Sequence, residues 1–212
     1  MTHRPKVYIY ALSNVAYDGY YISGLKKFLG IKRVIFSTKR FPRFGFYDGL
    51  AVIIKYPDKE IKLCIDANDR NEIILSQLEW CDVYGKVNYN PNVVPRQGAE
   101  KVIPIGSSFG IRLWNLPETI FMAGFNFIRF YSVIPHKKLF LSNYWAQYLR
   151  KPLSFYLHNS SQSKSDYVFF VSTIWKNNPE TNQLRANFIA ACKEVKNIHF
   201  EGGFAPRKDG NQ

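Results

Sequence analysis

The chain has 212 residues, 46% hydrophobic and 17% aromatic, enough apolar surface to offset chain entropy and to exclude a disordered tail. Its formal charge is +13 and its three cysteines form no C-x-x-C pair, which excludes a disulfide-stapled mini-domain and a C-x-x-C metal site. No run of about 18 uncharged apolar residues occurs, so no stretch reads as a membrane-spanning helix, and the composition fits one domain or two small ones of cytoplasmic type.

Residues 6–12 (KVYIYAL) read as a first strand, 20–29 as a helix stopped by Gly30, and 31–37 as a second strand, together a βαβ unit with a parallel pair. Residues 50–56 and 61–67 read as a hairpin joined by Pro57-Asp58-Lys59-Glu60. A helix is expected from 69 or 70 to 80, strands at 82–87 and 101–105, and helices at 116–132 and 135–150. The polar stretch 158–165 (HNSSQSKS) then reads as a linker. Residues 166–171 (DYVFFV) form an uninterrupted apolar run of the parallel-sheet kind, followed by a helix at 181–196 and a strand at 198–200. This predicts a Rossmann-like acceptor-side domain over 1–157, a linker over 158–165, and a second βαβ over 166–212. Two parallel strands and one helix cannot cover both faces of their own sheet, so that second domain reads as incomplete.

Successive quarters of the chain, 1–50, 51–100, 101–150 and 151–212, carry net charges of +7, −2, +5 and +3. The densest cations, Lys32, Arg33, Lys39, Arg40 and Arg43, are interleaved with Phe36, Phe41, Phe44, Phe46 and Tyr47. Such a stretch suits an anionic membrane surface or single-stranded nucleic acid. It equally suits a segment whose rings are core and whose cations are simply solvated.

Several motifs carry chemistry. Gly106-Ser107-Ser108-Phe109-Gly110 fits the G-x-S-x-G nucleophile elbow, with Asp166 and His199 following in chain order. The elbow needs a helix at once, however, and Asn115-Leu116-Pro117 breaks any such helix early, so the segment reads better as a polar loop at a strand's carboxyl end, where open α/β sheets bind ligands. Asp48, Glu60 and Lys62 resemble the carboxylate and lysine set of a metal-dependent nuclease. The loop after the first strand contains Asn14 and Asp18. Asp18 is either a helix N-cap or a carboxylate that accepts the proton of an attacking hydroxyl. Ser172, Thr173 and Lys176 follow the apolar strand of the second unit in the same sense, and suit a phosphorylated or sugar ligand. No P-loop or dinucleotide fingerprint occurs. The cysteines Cys64, Cys81 and Cys192 are expected as small packed groups.

The run 167–204 (YVFFVSTIWKNNPETNQLRANFIAACKEVKNIHFEGGF) resembles the opening of the nucleotide-sugar domain in bacterial GT-B glycosyltransferases of surface-polysaccharide biosynthesis. Residues 102–114 (VIPIGSSFGIRLW) and the first strand, loop and helix are similar to the acceptor-side domain of that family. The resemblance implies a GT-B-like α/β fold with its second domain incomplete, since the sequence stops soon after Gly203 where the family continues with further β-α units. It implies transfer of a sugar from a nucleotide sugar to a saccharide or lipid-linked acceptor, with no cofactor beyond that donor substrate and no obligatory metal. It places the protein in the cytoplasm, peripheral at the inner face of the membrane, with an anionic membrane surface as a further partner and nucleic acid not expected. On that reading Asp18 is catalytic. Asn14, Gly106, Ser107 and Ser108 meet the acceptor, and Ser172, Thr173 and Lys176 the donor. The alternatives are a metal-dependent nuclease and a non-catalytic basic module that binds membrane surfaces or nucleic acid.

Overall fold

Strand β1 (Lys6–Tyr10) runs into helix α1 (Gly19–Phe28) and then into β2 (Ile35–Ser37), which lies parallel to it. Gly30 ends α1 at φ 62°. The Ile31 amide donates to Lys26 O at 3.0 Å and the Gly30 amide to Lys27 O at 3.3 Å, the two bonds of a Schellman stop. β3 (Leu50–Lys55) and β4 (Glu60–Asp66) form the expected antiparallel hairpin. Helix α2 (Leu75–Trp80) leads into β5 (Val83–Lys86), parallel to β4, and β6 (Val102–Pro104) continues the parallel set. α2 starts later than the sequence pattern predicts. The Asn68 amide donates to Asp66 Oδ1 at 3.0 Å and the Ile74 amide to Tyr84 Oη at 3.2 Å, bonds that keep this stretch out of the helix.

The structure, a computed structural model, describes residues 4–157, 165–174 and 178–205, and the chain divides into two units, 1–156 and 157–212. The first unit is a six-stranded sheet in the order β2-β1-β3-β4-β5-β6, with β3 alone antiparallel. β3 is buried at five of its six positions, as a central strand covered on both faces must be. Register puts Ile9, Phe36, Val52 and Leu63 on one face. There Phe36 meets Trp114, which stacks on Tyr144 at 5.9 Å. Tyr10 lies on the other face and packs with Phe41 and Phe44, which in turn meet Trp80 of α2. Helices α3 (Leu116–Phe130), α4 (Lys137–Leu149) and the short α5 (Leu153–Tyr156) complete the unit. This is a Rossmann-like α/β arrangement, a mixed sheet flanked by helices.

The aromatic residues of the basic stretch are therefore mostly core. Phe36, Phe41 and Phe44 are buried and Phe46 and Tyr47 half-buried, while Lys32, Arg33, Lys39, Arg40 and Arg43 are exposed. The rings of the stretch thus belong largely to the core, and its cations form an exposed basic surface.

The second unit holds β7 (Tyr167–Ser172), α6 (Pro179–Glu194) and β8 (His199–Phe204), with β7 and β8 parallel. Phe170 meets Phe188 of α6 at 4.9 Å, whereas Phe169 and Val171, pointing to the opposite face, are exposed. Gly202 has φ 140°, and a Cβ there would sit 1.9 Å from Phe170 O, so the β7–β8 register admits no side chain at this position. Residues 158–164 of the expected linker and Lys176 lie outside the described residues. All three cysteines are free and buried. Among the described residues no helix is long and apolar enough to cross a membrane.

Candidate functional site

In the first unit, β1 continues through α1 to β2 on one side, while β4 continues through α2 to β5 and β6 on the other. Connections that leave in opposite directions open a crevice at the carboxyl ends of the strands. The residues preceding β3, which is antiparallel, lie at that same edge.

Asp18 sits there, in the loop after β1. It occupies the N-cap position of α1 but makes no side-chain capping bond, so the capping role expected of it is not the one it fills. The loop is instead held by Asn14: its carbonyl accepts the Asp18 amide at 2.8 Å and its Oδ1 accepts the Ala16 amide at 3.1 Å. Asn14 thus shapes the turn that carries Asp18. Among the described residues, the buried side-chain oxygens without a partner are Asp18 Oδ2 and Ser13 Oγ, both in this loop. Burial lifts the Asp18 carboxyl from the ordinary range to about 7, opposed by the Asn14 backbone amide. The Asp18 charge also acts on two phenols, Tyr21 and Tyr47, whose pKa values rise mainly by burial and further through that charge.

Gly106, Ser107 and Ser108 follow β6, four strand spacings from β1, which is about 19 Å. The chain returns along the carboxyl edge to the Asp18 loop. Tyr21 Oη donates to Gly106 O at 2.8 Å and Ser108 Oγ donates to Tyr17 O at 2.9 Å. A Cβ on Gly19 would lie 2.9 Å from Ile111 O, so glycine allows the two segments to touch. The loop that carries Asn14 and Asp18 thus meets the 106–108 segment through Tyr17 and Tyr21, while Ser107 stays exposed. No helix starts after Ser108, since α3 begins only at Leu116, so the nucleophile-elbow geometry is not formed. Exposed Tyr20 and Phe109 meet at 4.9 Å beside the loop, and Phe109 meets Tyr156 at 5.2 Å.

A second group of polar residues was not singled out by the sequence. Lys86 and Asp66, 0% and 1% exposed, pair at 3.0 Å. Tyr84 Oη also donates to Asp66 Oδ2, at 2.8 Å, and Lys86 Nζ to Asn68 O at 3.3 Å. Asp66 lines an open cavity of about 500 Å³ together with Tyr47, Asp48, Asn68, Arg70 and Glu72. Tyr47 stands between this cavity and the Asp18 loop. Its amide donates to Leu12 O at 3.3 Å, its hydroxyl contacts Asn143 of α4, and its φ is 67°, an uncommon backbone state for an aromatic residue. The sequence carried one signal for this group: a lysine and an aspartate among the apolar residues of two adjacent strands.

The nuclease constellation does not assemble. Register places Lys55 opposite Glu60 and Leu50 opposite Ile65, so Glu60 and Asp48 lie at opposite ends of the hairpin, at least five residue steps or roughly 16 Å apart. Lys62 instead packs over Trp80, 5.8 Å from the ring centre. Among the described residues no group of three metal-ligating side chains occurs.

In the second unit Ser172 closes β7, its carbonyl accepting the Ala205 amide at 2.8 Å, and Thr173 O accepts from Arg185 at 3.0 Å. Both lie at the carboxyl end of a parallel pair. The molecule is thus an α/β protein with a Rossmann-like sheet and a polar crevice at its carboxyl edge. No family model, curated protein or solved structure matches this chain.

Proposed function

We propose that the chain provides the acceptor-side unit and donor-side strands of a GT-B-type glycosyltransferase. Such an enzyme transfers a sugar from a nucleotide sugar to a saccharide or lipid-linked acceptor. The observation that carries this reading is Asp18, a buried carboxyl with an unpartnered oxygen and a pKa of about 7 at the sheet's carboxyl edge. A carboxylate of that basicity suits removal of a proton from an alcohol at neutral pH. The acceptor hydroxyl gives its proton to Asp18 Oδ2 as its oxygen bonds to the anomeric carbon. The anomeric carbon–oxygen bond breaks and the nucleoside diphosphate leaves with the electron pair. Gly106 and Ser107 supply exposed polar groups for acceptor hydroxyls. Tyr20 and Phe109 offer ring faces to the apolar side of a sugar. Ser172, Thr173 and Lys176 are assigned to the donor.

Titration with a panel of nucleotide sugars tests the reading. Saturable binding of one of them, with transfer to a saccharide acceptor, is expected. Turnover should climb with pH through about 7 and then level, as Asp18 loses its proton. Asp18→Asn should lower turnover roughly 10²–10⁴-fold while leaving donor affinity unchanged. A folded sample that binds none of the panel overturns the assignment.

A further inference from the structure

We infer that the outer face of α3, with the groove at its amino end, docks the protein on an anionic lipid surface. α3 (LPETIFMAGFNFIRF) is apolar on more than one side. Its Phe130 is buried, while Phe127 and Met122 pack against the core. Its outward side carries Phe121, Phe125 and Ile128 at i, i+4 and i+7, Phe121 66% and Ile128 79% exposed. Phe121 and Phe125 stack at 5.8 Å, forming a continuous ridge. A helix with a second apolar face is either covered or faces a medium that is not water.

Charge identifies the medium. At the amino end of the ridge, a groove of about 510 Å³ has Trp114, Phe121 and Met122 on its apolar side and Lys26, Lys32 and Arg33 on its rim. Its single carboxylate, Glu118, is engaged by the Asn115 amide in the capping box of α3. Farther along, the Arg129 guanidinium lies 5.8 Å from the Phe125 ring, and Lys137 stands 4.7 Å from the Tyr131 ring. An apolar ridge with cations at both ends matches the boundary between acyl chains and anionic headgroups. There side chains such as Phe and Ile enter the apolar layer while Lys and Arg reach back to phosphates. The inference is independent of the sugar-transfer reading, because it uses none of the residues assigned to that chemistry.

Co-sedimentation of the full chain with vesicles tests it. Binding to phosphatidylglycerol vesicles is expected, with little to phosphatidylcholine alone. Phe121→Ser/Ile128→Ser leaves the charge intact and should weaken binding roughly tenfold or more. Lys32→Ala/Arg33→Ala should weaken it by about fivefold per charge. All four side chains are exposed or partly exposed, so the variants should keep the wild-type circular dichroism and melting temperature. Four results would overturn the inference. They are no vesicle binding, equal binding by Phe121→Ser/Ile128→Ser, release by inorganic phosphate at constant ionic strength, and a dimer that the same double variant dissociates.

Discussion

At the residue scale, Asp18 combines a functional proposal with a stability cost. Its carboxyl is protonated more readily in the folded chain than in the unfolded one, because burial raises its pKa from 3.8 to about 7. The stability it contributes is full below about pH 4. It falls as pH rises from about 4 toward 7, where the unfolded chain has released a proton that the native state still holds, and stays lost above that, where both states have released it. Asp18→Asn removes this dependence and keeps a similar shape. Denaturant unfolding should find the variant more stable than wild type at pH 8, by roughly 2–4 kcal/mol, with the gain vanishing near pH 4. An equal difference at both pH values would show that the carboxyl is not held as described. The sequence placed Asp18 in the loop between β1 and α1, where it lies, and offered a capping side chain as one of its two roles. The preference of aspartate for N-caps is a local rule, whereas burial of this loop, against which the 106–111 segment returns, is a long-range event that no local rule contains. The pairing of Asp66 with Lys86 escapes local rules for the same reason: each residue alone looks like an interruption in a strand, and only the β4–β5 register makes them partners.

At the element scale, the periodicity of apolar residues located nearly every strand and helix, and the boundaries moved where side chains took over backbone bonds. Gly30 stopped α1 as read, because a left-handed residue after a helix is a local requirement that glycine meets. The delayed start of α2 depends on Tyr84 and Asp66, which lie on other strands. The segment Asn115-Leu116-Pro117, read as an obstacle to a helix running on from Ser108, proves to be a start signal. Asn115 Oδ1 accepts the Glu118 amide at 2.9 Å, Glu118 returns the bond to the Asn115 amide at 3.2 Å, and Pro117 sits where its missing N–H costs nothing. Asn115→Ala should lower unfolding stability by about 1 kcal/mol. Adding Glu118→Ala should cost less than the two single changes together, since either one already breaks the reciprocal box. Strictly additive losses in a double-mutant cycle would argue against that geometry.

At the scale of the whole molecule, the two units differ in how much they bury. The first has a continuous core reaching from Val7 to Tyr144 and covering both faces of its sheet. Among the described side chains of the second, the buried ones are Ile189 and Cys192, while Phe169, Val171, Leu184 and Phe188 remain exposed. The sequence already implied this, because two strands and one helix offer too few elements to enclose a sheet. What it could not supply was the meeting of the Asp18 and 106–108 loops, which depends on chain running back across four strands. Local opening free energy follows the apolar surface an element buries and the exposure of its backbone bonds. In native-state hydrogen exchange on the intact chain, the amides of β7 and β8 should therefore be protected roughly 100-fold less, or weaker still, than those of β1 and β3. The gap should persist when the protein concentration is varied, because it arises within the chain. Equal protection in both units would mean that the open side of the β7–β8 sheet is covered in solution, and the exposed Phe169 and Val171 would then mark the covered surface.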